Sequence, residues 1–262
     1  MIPLGRRDGR PLRIGHRGAP ALAPENTIRS FRAAIEAGVD LIEFDVLALH
    51  GGELVVAHSD DLHEVSHGAA RGTVIDRSLA SIRESCPELP TLDDALEFFV
   101  DEASDVGLHL DLKALGREDA VAAALDRYGL SERSLVSSFY LRSVRRIVRL
   151  SPRVRPGVTF PRSVLGITES GRSAPIARTG LEALRRVMPV LVAPLLSISS
   201  ASALVLHHAL VGERAVRSAR RRGVPVVAWT VDRPEDLARV DGAGVDAVVT
   251  NDPRVFASTL RT

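Results

Sequence analysis

Between Ile14 and His58 the chain gathers two histidines and two carboxylates beside apolar runs: Gly15-His16-Arg17-Gly18, Glu43-Phe44-Asp45 and Val55-Val56-Ala57-His58. Histidine exchanges protons near neutral pH, so a pair at neighbouring strand ends suits general acid–base work. Glu43 and Asp45 lie two residues apart on an extended segment and project to one side. The run Leu108-His109-Leu110-Asp111-Leu112-Lys113 adds a third acid and an ammonium at the same spacing. Lys113 is the only lysine among 34 Lys and Arg residues, which marks a position wanting a compact ammonium over a planar guanidinium. Glu43, Asp45 and Asp111 repel one another unless a cation lies between them. Their oxygens form the hard donor set that Mg²⁺ or Ca²⁺ takes. The competing reading pairs each acid with an arginine from a neighbouring strand, and Arg17 is the only such partner the strands offer.

Other residues have plainer readings. In Pro24-Glu25-Asn26-Thr27, Asn or Thr caps the helix that follows and Pro stiffens the turn, which accounts for the motif without a catalytic role. Trp229, the single tryptophan, ends an apolar strand and reads as core packing or, as the strand end favours, as a wall for a ligand carrying a small polyol or alkyl group. His207 and His208 close another strand and read equally well as rim residues. Arg145-Arg146 and Arg220-Arg221-Arg222 fall on helical patterns as solvated faces and ends. A net charge of +1 makes no electrostatic case for nucleic acid or an anionic membrane.

The elements that must position these groups alternate along the chain. Strands are expected at Leu12–Gly15, Leu41–Val46, Val106–Leu112, Ser134–Ser138, Val154–Phe160, Ala203–His207, Val224–Val231 and Val245–Thr250, with Leu54–Ala57 a short extension after the second. Helical patterns separate them, including Thr27–Ala37, Leu92–Val100, Glu118–Tyr128, Leu141–Leu150 and Glu213–Arg222. Eight strands divided by helices predict a (β/α)₈ TIM barrel, one domain spanning 1–262 with a short loop insertion over the mouth at 59–90. Pro189–Ser199 reads either as a further strand or as a helix broken at Pro189 and Pro194. Cys86 stands alone, no apolar leader opens the chain, and no apolar stretch reaches about 20 residues, so a cytoplasmic protein without a transmembrane segment is expected.

In their order and spacing these motifs resemble the glycerophosphodiester phosphodiesterase family across nearly the whole chain. The resemblance runs through Gly15-His16-Arg17-Gly18, Pro24-Glu25-Asn26-Thr27, Gly38-Val39-Asp40, Glu43-Phe44-Asp45-Val46 and Val55-Val56-Ala57-His58. It resumes at Trp229-Thr230-Val231-Asp232, Gly244-Val245-Asp246 and Thr250-Asn251-Asp252-Pro253. It implies a barrel enzyme that hydrolyses glycerophosphodiesters to an alcohol and glycerol 3-phosphate. By the same resemblance His16 and His58 form the acid–base pair, Glu43, Asp45 and Asp111 hold a divalent cation, and Arg17 and Lys113 meet the phosphate. Two positions depart from the family. Ser59 stands where an aspartate usually follows the second histidine, and Asp111 where the third acid is often glutamate. A lysophospholipase D or a cyclising phosphodiesterase of the same superfamily would use the same residues, and a non-catalytic phosphate-binding barrel is the reading outside enzymes.

Overall fold

The computed structural model describes residues 1–162 and 175–259. Its strands are β1 (Leu12–Gly15), β2 (Leu41–Ala48), β3 (Leu54–Val56), β4 (Gly107–Leu112), β5 (Ser134–Ser138), β6 (Arg155–Phe160), β7 (Ala203–His207), β8 (Val226–Trp229) and β9 (Ala247–Thr250). All but β3 run parallel, and β1 pairs with β2 on one side and β9 on the other, which closes an eight-stranded barrel. The main helices are α1 (Ile28–Glu36), α4 (Leu92–Asp101), α5 (Glu118–Arg127), α6 (Leu141–Leu150), α7 (Pro175–Ser199), α8 (Glu213–Arg220) and α9 (Pro234–Gly242). Two short ones, α2 (Leu62–Val65) and α3 (Leu79–Arg83), follow β3. The expected TIM barrel is therefore the fold, and its strands fall where the apolar runs placed them.

Strand alternation sorts the barrel into layers. On β2, Ile42 and Phe44 pack outward among the helices with Phe31 and Phe99, while Leu41, Glu43 and Asp45 face the opposite way. The β2–β4 register sets Leu41 beside Gly107, Glu43 beside His109 and Asp45 beside Asp111. The floor is apolar, built from Leu12, Ile14, Leu41, Leu135, Val205, Val227 and Val249 and plugged by Ile2 and Leu4. Each two-residue step toward the strand C-termini exchanges that oil for acids, a histidine and hydroxyls. The mouth is therefore polar because of which residues fill the upper layers.

The insertion has a core of its own. β3 returns antiparallel along the end of β2, and Leu47, Leu49, Val55, Leu62, Val74, Ile82 and Leu89 bury together beneath α2 and α3. Glu43 and Asp45 consequently lie within β2 rather than at its end, since the strand runs on to form this hairpin.

Pro189–Ser199 belongs to α7 and is no strand. Met188, Val192 and Leu196 are buried at four-residue spacing while Val190 is 75% exposed, a one-sided pattern that an extended strand could not produce. The helix continues through both prolines. The chain's last described turn, Pro253–Thr259, is a 3₁₀ helix. Among the described residues no helix is long and apolar enough to cross a membrane.

Candidate active site

The turn after β1 is built to be tight. Arg17 has φ +48° and Gly18 φ +87°, and a Cβ on Gly18 would lie 2.4 Å from the Ser30 hydroxyl, so only glycine lets α1 approach. The turn aims His16 and Arg17 into the barrel mouth, where both are buried. His16 Nδ1 lies 2.6 Å from Asn251 Oδ1, and the Asn251 amide donates to Asp232 Oδ2 at 2.7 Å. That second bond fixes which end of the amide is oxygen, so Nδ1 carries the proton and Nε2 is left as an acceptor. Nε2 faces Glu43 Oε2 at 3.9 Å. Burial, reinforced by the Arg17 charge, pushes the His16 pKa down to about 3, so the ring is neutral.

The three acids do meet, but they are not unpaired. Lys113 Nζ lies 2.7 Å from Asp45 Oδ1 and 2.7 Å from Asp111 Oδ2. Arg17 Nε stands 3.1 Å from Asp45 Oδ2 while its Nη1 donates to Glu25 at 2.9 and 3.0 Å. Lys113 thus joins Arg17 as a cationic partner of the acids, beyond the one arginine that the strands were expected to offer. Burial opposes the charge on Lys113, and Asp111, Asp45 and Glu43 outweigh it and raise the ammonium well above its ordinary value. Burial would likewise lift Asp45, yet Lys113 and Arg17 hold it far below the carboxylate range. Glu43 goes the other way. Burial and the Asp45 charge raise it well above the ordinary value, and the backbone N–H of Arg17, at 2.9 Å, does not offset them.

Asp111 is oriented from the far side of the barrel. Ser137 on β5 donates to its Oδ1 at 2.6 Å and Thr159 on β6 at 3.2 Å. Buried His109 stands behind, its Nε2 2.9 Å from the Ser137 oxygen. Because Ser137 gives its own proton to Asp111, His109 donates from Nε2. Burial pushes its pKa down to about 4 and keeps it neutral.

His58 follows β3 and leans into the mouth from the insertion. Its Nδ1 lies 2.7 Å from Glu64 Oε1, and Ser59 donates to Glu64 Oε2 at 2.7 Å. His58 lines a cavity with Glu25 and Asn26, the partners of Arg17 and Asp45. Trp229 packs edge-on against Phe139 and His207 with centroids 5.7 and 5.2 Å away, and Lys113 lies 5.7 Å over the Phe139 ring. Trp229 thus joins the aromatic wall of the mouth. His207 and His208 sit on that rim, and burial lowers both.

Several contributors escaped the sequence reading. Thr27 is the cap, accepting from Ser30 N–H at 3.1 Å, whereas Asn26 has φ +56° and clasps Asp45 with its amide, donating at 2.8 Å and accepting the Asp45 N–H at 3.2 Å. Capping therefore does not account for Asn26, nor for Glu25. A residue beside a cap that the cap does not need was the available signal. Asn251, Asp232, Ser137, Thr159 and Glu64 gave none, because their roles exist only once distant segments meet.

Among the described residues no three His, Cys, Asp or Glu side chains already stand at metal-ligand spacing, as Lys113 fills the gap between Asp45 and Asp111. The donor chemistry nevertheless suits a hard cation: buried carboxylates crowd together, and burial and the Asp45 charge raise Glu43 despite the nearby Lys113.

A closed parallel barrel with acids, histidines and cations at the strand C-termini defines the class as a (β/α)₈ enzyme. A sequence model of the glycerophosphoryl diester phosphodiesterase family matches residues 16–255, and the chain belongs to that family. It is 28% identical over 264 residues to a glycerophosphodiester phosphodiesterase of Caldanaerobacter subterraneus subsp. tengcongensis, covering 95% of this chain and 97% of that one. A phosphodiesterase of Oleispira antarctica, solved in complex with the product sn-glycerol-3-phosphate, shares the fold at TM-score 0.72 and 24% identity over 97% of this chain and 98% of that one. The glycerophosphodiester phosphodiesterase of Thermotoga maritima does so at TM-score 0.69 and 22% identity, over 95% and 98%.

Proposed function

We propose that this protein hydrolyses glycerophosphodiesters to an alcohol and glycerol 3-phosphate, with His16 and His58 as its acid–base pair. The observation that carries the reading is the pair itself: one ring after β1 and one after β3, each with Nδ1 engaged by an oxygen. One ring takes the proton of the attacking hydroxyl while the other returns a proton to the departing alkoxide, so neither a strong base nor a poor leaving group is generated. The product held by the Oleispira antarctica enzyme supports glycerol 3-phosphate as the retained half.

Arg17 and Lys113 meet the phosphate, whose negative charge grows toward the transition state. Arg17 is buried and Lys113 half-buried, and both are prepositioned by Asp45, so binding a phosphate costs them little reorganisation. Glu43, Asp45 and Asp111 would hold a divalent cation, Mg²⁺ or Ca²⁺, which when bound supplies Lewis-acid polarisation of the phosphoryl oxygens. Asn26, Ser137 and Thr159 keep the acids from swinging away. Trp229 and Phe139 wall the apolar edge of the glycerol moiety. The protein acts on small molecules and works in the cytoplasm.

The test is glycerol 3-phosphate release from glycerophosphocholine by EDTA-treated protein with Mg²⁺ or Ca²⁺ restored. Release that returns with metal and disappears in Asp111→Ala is expected. Full release in EDTA would refute the cation site, and no release under any condition would refute the substrate assignment.

A further inference from the structure

Glu64 lies outside every motif quoted above, on the four-residue helix α2 of the insertion. Its two oxygens are both engaged: Oε1 with His58 Nδ1 at 2.7 Å and Oε2 with the Ser59 hydroxyl at 2.7 Å. We propose that Glu64 is the positioning residue that fixes the tautomer and orientation of His58, and that Ser59 steers this carboxylate in place of the acid the family usually carries after its second histidine. The proposal rests on the reading of His58 as an acid–base residue.

Burial alone would lift the Glu64 carboxyl, but the bonds from Ser59 and His58 outweigh it and hold it below its ordinary value, so the group is ionised at neutral pH. An ionised carboxylate only accepts. His58 Nδ1 must then carry a proton, and Nε2 is the atom left to exchange one. A tautomer fixed in this way is what a proton-transferring imidazole needs, since the wrong one presents a hydrogen where a lone pair is required. Ser59 can only donate to a carboxylate, so it cannot replace an acid by itself. It can, however, hold a carboxylate from elsewhere, and Asp61, which caps α2 by accepting the His63 N–H at 2.9 Å, sets the turn that brings Glu64 back. The groups that face His58 include Glu64 and Ser59 from the insertion. Of these, Glu64 is in contact with Nδ1.

The experiment has two arms. Glu64→Gln preserves the shape, but its amide can turn to donate, which admits the other tautomer. With glycerophosphocholine and Mg²⁺, kcat is expected to fall about 10- to 100-fold with KM within about twofold. Adding Ser59→Asp in that background is expected to recover most of the loss. A kcat within twofold of the parent, or a loss spread equally over KM with no recovery from Ser59→Asp, would overturn the proposal. The second arm needs no variant at the carboxylate. The ¹⁵N shifts of the parent protein at neutral pH, with His58 assigned by its loss in His58→Gln, are expected to show the Nδ1–H form, and an Nε2–H form would overturn the proposal. A parent protein inactive on the diester, or an active His58→Ala variant, would fail the functional reading while the ¹⁵N arm still decides the role of Glu64.

Discussion

His16 and His58 each engage an oxygen through Nδ1 and are held at the barrel mouth by two different parts of the molecule. His16 belongs to the barrel wall. Its ring is buried, its Nδ1 rests on the neutral amide of Asn251, and Asp232 locks that amide from the β8 side. His58 belongs to the insertion. It is about a quarter exposed, and its partner Glu64 is a charged group on a single-turn helix. One histidine is positioned by the closed sheet, the other by a small satellite core that covers the mouth. The difference teaches where variation can enter: the wall cannot move without opening the barrel, whereas the insertion can be rebuilt provided it returns an acceptor to His58.

Breaking the satellite core should separate the two most strongly. Leu62 is fully buried beneath α2, and Leu62→Ala is expected to destabilise the insertion by about 2–5 kcal/mol. Hydrogen exchange should then rise in β3, α2 and α3 and stay protected in β1 and β9. Equal loosening of both regions would show that the insertion has no independent stability. A smaller effect is expected on the other side. Asn251→Ala leaves a buried Nδ1–H without its acceptor, a cost of about 1–3 kcal/mol. Its kcat should fall while exchange in the insertion is unchanged, and unchanged kcat would detach Asn251 from the site.

The smallest effect concerns the opposite end of the barrel wall. Asp40 accepts from Arg10 and Arg7 and from the Arg13 N–H of β1. Burial would raise its pKa, but these partners outweigh it and lower it from the ordinary 3.8. A lowered folded value means the contribution is present above the unfolded value and lost as pH falls through the folded one. Asp40→Asn should therefore lower the unfolding free energy from urea titration at neutral pH by an amount on the order of 1 kcal/mol. The gap to the parent should shrink as pH falls below 3.8. A gap independent of pH would mean that the charge on Asp40 is not what holds β1.

Much of the barrel was legible in the sequence because strands covered on both faces read as unbroken apolar runs, as in Val226–Trp229 and Ala203–His207. Pro189–Ser199 was ambiguous because its prolines and the run Val190-Leu191-Val192 conceal a four-residue burial period that only packing reveals. In the site, His16, His58, Glu43, Asp45, Asp111 and Lys113 stood out through residue type and two-residue spacing. The groups that orient them did not. Asn26 was hidden beside a helix cap, and Asn251 and Asp232 stood in quoted motifs without an assigned task. Ser137 and Glu64 are common residues whose meaning is a distance to something far along the chain. Chemistry shows in local sequence; positioning depends on closure of the fold.

The measurement that bears most directly on the histidine pair is the rate of glycerol 3-phosphate release by His16→Ala and His58→Ala, each checked for unchanged thermal unfolding. With Mg²⁺ present, each variant should lose about 10²- to 10⁴-fold in kcat, despite the two residues being held by different parts of the molecule. Parent-like turnover in either variant would contradict the account and leave that histidine a structural residue of the barrel mouth.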